Sequence, residues 1–97
     1  MTDFLQTVLR LRVSGRVQGV GYREWTRREA SARGLAGWVR NRSDKTVEAV
    51  IAGERAALDA MLAAMRRGPF FASVAAVEAI EVDGEDAPAV FEIRPTA

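Results

Sequence analysis

Thr7-Val8-Leu9-Arg10-Leu11-Arg12-Val13-Ser14-Gly15-Arg16-Val17-Gln18-Gly19-Val20-Gly21-Tyr22-Arg23 changes character twice along its length. Up to Ser14 it alternates, with Leu9, Leu11 and Val13 on one side and Arg10, Arg12 and Ser14 on the other, which predicts a half-buried strand. From Tyr22 to Arg33 the apolar spacing becomes helical, carried by a thin stripe of Tyr22, Trp25, Thr26 and Ala30. Glu24 and Arg28 pair at the i, i+4 spacing, and Gly34 is a natural C-terminal stop. Between strand and helix lie three glycines. They allow backbone conformations that other residues avoid, so successive N–H groups can converge on an oxyanion. The first turn of the helix adds partial positive charge, and Arg23 offers a planar fork of donors suited to phosphoryl oxygens. On spacing alone, the same Gly-x-x-x-Gly-x-Gly pattern serves equally as a tight strand-to-helix connection. It is not a nucleotide loop, which requires Gly-Lys-Ser/Thr where this one ends Gly-Tyr-Arg. A small phosphate ester or anhydride is the better expectation.

Outward from this segment, Leu35 to Asn41 predicts a second strand and Asn41-Arg42-Ser43-Asp44-Lys45 a turn. Thr46 to Ala52 alternates again, with Val47, Ala49 and Ile51 sharing a face. Glu54 to Arg67 is the clearest helix, because Leu58, Met61, Leu62 and Met65 fall at i, i+3, i+4 and i+7 before Gly68-Pro69. A fourth strand is predicted over Val74 to Val82, then a polar loop. A short last strand carries Phe91 and Ile93 inward and Glu92 and Arg94 outward. The order is βαββαβ, which an antiparallel sheet with two helices on one face satisfies: an α+β, ferredoxin-like sandwich in a single domain over residues 1–97. That fold hosts many functions, so function must come from the site.

Composition narrows the chemistry. The 97 residues are 48% hydrophobic, enough for one core. Cysteine and histidine are both absent, which removes thiolate nucleophiles, the commonest general base and the commonest zinc ligand. No metal or cofactor is called for, and any catalysis must run on arginine, asparagine, carboxylates and backbone. The run from Met1 to Arg10 is unlike a signal peptide, and nothing approaches membrane-spanning length. A cytoplasmic protein with no membrane partner is the expectation. The formal net charge of +1 hides nine arginines against two glutamates over residues 10–42. Nucleic-acid binding, a phosphate site or a solvated face would each produce that bias.

Gly37-Trp38-Val39-Arg40-Asn41 closes the second strand on an amide where a turn begins. Judged alone, Asn41 is a turn former. Together, however, Gly15 to Arg23 and Gly37 to Asn41 resemble the two signatures of the acylphosphatase family, at the family's separation. The resemblance extends over nearly the whole chain, through the Gly68-Pro69 terminator to Phe91-Glu92-Ile93-Arg94. It implies hydrolysis of acyl phosphates to carboxylate and inorganic phosphate without a metal. It also implies that Arg23 binds the phosphoryl group and Asn41 orients the attacking water. Gly15, Arg16, Val17, Gln18, Gly19, Val20 and Gly21 would form the phosphate cradle, with Arg16 contributing its backbone. The chemistry agrees, since a carboxylate leaving group is already a stable anion and needs no histidine acid. A small-molecule acyl phosphate is the expected partner, nucleic acid is not expected, and a monomer is.

Three positions depart from the family pattern. Tyr22 replaces the usual phenylalanine and is expected to put a hydroxyl near the mouth. Lys45 stands at a turn position often held by glycine. Phe70-Phe71 follows Gly68-Pro69 in place of a more polar stretch, and reads as core or a covered edge; exposed, it would mark a dimer contact or a substrate-entry lip. Two rival functions share the fold. One is a noncatalytic phosphate-binding module. The other is an RNA-recognition domain, disfavoured because Thr46 to Ala52 has no aromatic to stack bases. The acidic run Glu78, Glu81, Asp83, Glu85 and Asp86 reads as a solvated edge and loop.

Overall fold

A computed structural model describes residues 6–97. Along it the chain forms β1 (Thr7–Arg16), α1 (Tyr22–Ala32), β2 (Ala36–Asn41), β3 (Val47–Gly53), α2 (Arg55–Arg67), β4 (Ser73–Glu81) and β5 (Glu92–Ile93). The strands lie in one sheet in the order β4-β1-β3-β2-β5. The first four are antiparallel to their neighbours and carry two helices, the ferredoxin-like plan. β5 departs from the expected antiparallel sheet by pairing with β2 in parallel, so the sheet is mixed. Connectivity explains this. β4 ends at the side of the sheet where β2 begins, so a strand added beside β2 after one crossover must run the same way.

The alternation of β1 is realised as predicted. Leu9, Leu11 and Val13 meet Val47, Ala49 and Ile51 of β3, Tyr22 and Ala30 of α1, and Leu58, Met61 and Met65 of α2 in the core. β3 is buried on both faces, although helices cover only one. On the other, Trp38 lies beneath the guanidinium groups of Arg40 and Arg94, each 4.9 Å from its ring centre. Beside it the buried Glu48 carboxylate takes ion pairs from Arg10, Arg40 and Arg42. The acidic run is not simply solvated. Glu85 pairs with Arg10, Asp86 with Arg94 and Glu81 with Arg55, and the Asp86 carbonyl accepts the Trp38 indole N–H. The loop between β4 and β5 therefore helps cover the helix-free face.

Three further expectations are corrected. Tyr22 does not place its hydroxyl at a mouth: the ring is buried and the hydroxyl donates to the Met65 carbonyl at 2.9 Å. The helical phase that buries Thr26 and Ala30 also turns Tyr22 inward. Phe70 and Phe71 are 91% and 70% exposed, because they occupy a turn beyond α2 rather than an element with an inner face. Ile93, expected inward, is 39% exposed, because the two-residue β5 lies at the edge of the sheet. The turn between β2 and β3 holds Lys45 at φ 79°, the left-handed region, with its N–H on the Arg42 carbonyl at 3.1 Å.

Lys45→Gly should raise stability by roughly 1 kcal/mol in urea unfolding, since the left-handed penalty of a side chain outweighs the extra chain entropy of glycine. Burial pushes the Tyr22 hydroxyl pKa up. Above about pH 10 the unfolded chain therefore releases a proton that the folded chain retains, and stability falls as pH rises. Tyr22→Phe should cost about 1 kcal/mol near neutrality through the lost hydrogen bond, and should flatten that alkaline decline.

Candidate active site

The loop between β1 and α1 is turned by Gly19 and Gly21, at φ 75° and 81°. No neighbouring atom lies within 4 Å of a Cβ built at either, so backbone conformation rather than space demands glycine. Gly21 is also the N-cap of α1, and no side chain among the described residues caps the helix. The helical ladder begins only with Trp25, whose N–H reaches the Gly21 carbonyl at 3.0 Å. The N–H groups of Tyr22, Arg23 and Glu24 are thus left without a partner inside the helix, and the helix dipole favours an anion in front of them. Val17 anchors the loop in the core. The Gln18 side chain ties it to the turn after β2, donating at 2.9 Å to both the Arg42 and Thr46 carbonyls.

In front of this loop opens a cavity of about 220 Å³ lined by Val17, Gly19, Gly21, Tyr22, Arg23, Glu24, Asn41 and Ile93. Arg23 and Asn41, on different elements, are thereby brought to one space. Asn41 is only 9% exposed, and its Oδ1 is enclosed without a hydrogen-bond partner among the described residues. Such an atom is costly unless a water or a substrate satisfies it. Its backbone is clamped by the Ala97 N–H on the Asn41 carbonyl at 3.1 Å, beside a Ser43 N–H bond to Ala97.

Of the expected cradle, Val17, Gly19 and Gly21 line the cavity, whereas Gly15, Arg16, Gln18 and Val20 do not. Gly15 sits where the β1–β4 register shifts, and a Cβ there would lie 2.3 Å from the Ser73 carbonyl oxygen. Close strand approach accounts for that glycine. Arg16 continues β1 opposite Ser73, and Val20 packs against the core. Two lining residues escaped the sequence reading, Glu24 and Ile93. Position could have found Glu24, which follows Arg23 in the first turn of α1, but no local signal marks Ile93. Hydrogen bonds from Arg27 at 3.0 and 2.5 Å hold the Glu24 carboxyl below the usual carboxylate range.

Of the nine arginines over residues 10–42, seven are within ion-pair distance of a carboxylate. The exceptions among the described residues are Arg16 and Arg23, at the loop. A larger hollow of about 320 Å³ lies at the opposite end of β1, but Glu81 and Asp83 in its lining make it unsuited to an anion.

Fold and site together define a ferredoxin-like domain in which a glycine-turned loop and an enclosed amide line one cavity. The acylphosphatase family model matches residues 9–93. The chain is 50% identical to an acylphosphatase of Rhizobium etli over 96% of its own length and 98% of the relative's. Its structure superposes on an acylphosphatase from Coxiella burnetii with a TM-score of 0.89 at 37% identity, covering 95% and 96% of the two chains. An acylphosphatase from Bacillus subtilis gives 0.86 at 38% identity, covering 91% of this chain and 98% of that one. This chain belongs to the acylphosphatase family, whose reaction is the hydrolysis of acyl phosphates.

Gln18→Ala should lower stability by about 1–2 kcal/mol in urea unfolding, because both carbonyls it binds keep a backbone donor and only the side-chain bonds are lost. It should also weaken inorganic phosphate binding, read by calorimetry, as the loop loses its tie to the turn after β2.

Proposed function

We propose that the phosphoryl group of an acyl phosphate is held in the cavity by the Arg23 guanidinium, the loop backbone and the first-turn N–H groups of α1. Asn41 positions the attacking water. The enclosed Oδ1 of Asn41 beside the cradle, without a hydrogen-bond partner among the described residues, is the observation that carries this reading. Water attacks phosphorus, the bond from phosphorus to the bridging oxygen breaks, and the acyl group leaves as a carboxylate. Charge in the loose transition state spreads over the equatorial oxygens, where Arg23 and the N–H groups stabilise it.

The proton of the attacking water passes to a phosphoryl oxygen of the substrate. Among the described residues Glu24 is the only carboxylate lining the cavity, but its salt bridge to Arg27 makes it a weak base. Every group assigned a role lies on one chain, so the monomer is a complete catalytic unit. The paired arginines and the buried Trp38 on the helix-free face offer no stacking platform, which supports a reaction without nucleic acid.

The test is hydrolysis of benzoyl phosphate in the presence of a chelator, with folding checked by circular dichroism. Asn41→Ala should lower kcat by about 100- to 1,000-fold with little change in KM. Arg23→Ala should impair both constants, since the guanidinium meets ground and transition states alike. Glu24→Gln should keep most of kcat; a loss of about 100-fold would make Glu24 the base instead. Near-normal turnover in folded Asn41→Ala or Arg23→Ala would remove that residue from the mechanism.

A further inference from the structure

The turn that follows α2 is built against the usual chemistry of turns. The Ala72 N–H bonds the Pro69 carbonyl at 3.0 Å, so Phe70 and Phe71 occupy the two corner positions. Those corners ordinarily carry glycine, asparagine, aspartate or serine, whose conformations and local hydrogen bonds suit a bend in water. Here two rings project instead, edge to face with centres 5.0 Å apart, and neither lines the catalytic cavity.

Along the chain, charge beside the turn has one sign. No carboxylate occurs from residue 60 to residue 77, although the chain from residue 43 onward is acidic as a whole. Arg66 and Arg67 are exposed in the last turn of α2, and among the described residues neither pairs with a carboxylate. Arg16, also exposed and without a carboxylate partner there, is registered against Ser73, two residues beyond Phe71. Complementing the C-terminal dipole of α2 would explain Arg66 and Arg67, but not the rings beside them.

We propose that Phe70, Phe71, Arg66 and Arg67 form a peripheral docking tip for an anionic phospholipid surface, with the rings entering the headgroup region and the guanidinium groups meeting lipid phosphates. Two features favour a lipid surface over a second copy of the chain. The rings project from a turn, 91% and 70% exposed, and line none of the cavities described above, and the arginines beside them would repel those of a twin. The contact needs no spanning segment, and no helix among the described residues is long and apolar enough to be one. It revises the expectation of no membrane partner. Because β4 starts where β1 ends, docking would leave the catalytic loop at the same end of the sheet.

The experiment is co-sedimentation of the protein with vesicles of phosphatidylcholine alone, and with about 40% phosphatidylglycerol, at about 0.05 M salt. The expected result is binding to the anionic vesicles only, reversed at about 0.5 M salt. It should fall at least about 5-fold in Phe70→Ser/Phe71→Ser and in Arg66→Glu/Arg67→Glu. Benzoyl phosphate turnover should stay unchanged in both double variants, which shows that they fold. Absence of binding to anionic vesicles by the unaltered protein would overturn the proposal, as would equal binding by either double variant. Concentration-dependent dimerisation without lipid, abolished by Phe70→Ser/Phe71→Ser, would assign the tip to a second copy and overturn it as well.

Discussion

β1 and β2 both pair antiparallel with the strand between them, so they run in the same direction and end at the same side of the sheet. Everything at the candidate site depends on that constraint. The glycine loop leaves the end of β1 and Asn41 closes β2, with only β3 between them. Two strand spacings amount to about 10 Å, a gap that the loop and the first turn of α1 can close. Gln18 bridges the remaining distance by hydrogen-bonding the turn that follows Asn41. A middle strand parallel to one of them and antiparallel to the other would have sent the two segments to opposite ends.

Electrostatics acts on the same arrangement by subtraction. The basic first half and the acidic second half of the chain are laid against each other, with Glu48 alone engaging three arginines. Most of these pairs are partly exposed and contribute little stability individually. Their larger effect is on the field. They neutralise positive charge across the helix-free face and leave Arg23 free of carboxylate partners among the described residues. An anion approaching that end of the molecule meets the guanidinium beside helix N–H groups.

Much of the fold was legible because its periods are strong. Leu9, Leu11 and Val13 alternate, Leu58, Met61 and Met65 repeat helically, and the glycine stops fall at the helix ends. What resisted was decided by surroundings rather than by local pattern. The parallel pairing of β5 follows from where β4 ends, and the inward turn of the Tyr22 hydroxyl from a carbonyl on a helix far along the chain. Gly15 looked like part of the cradle because a glycine that admits a neighbouring strand and a glycine that turns a loop are the same letter. Phe70 and Phe71 looked buried because hydrophobicity carries no information about exposure when no period surrounds it.

The sequence by itself determined the two motifs, their separation and the absence of histidine and cysteine, which leave arginine, asparagine, carboxylates and backbone to carry the reaction. These are properties of residue identity and order. Tertiary structure alone decided that Arg23 and Asn41 share a cavity, that Glu24 lines it while held by Arg27, and that an amide oxygen there is enclosed without a partner among the described residues. Those facts depend on distances between segments remote in the chain, and such distances exist only once β3 has paired with both of its neighbours.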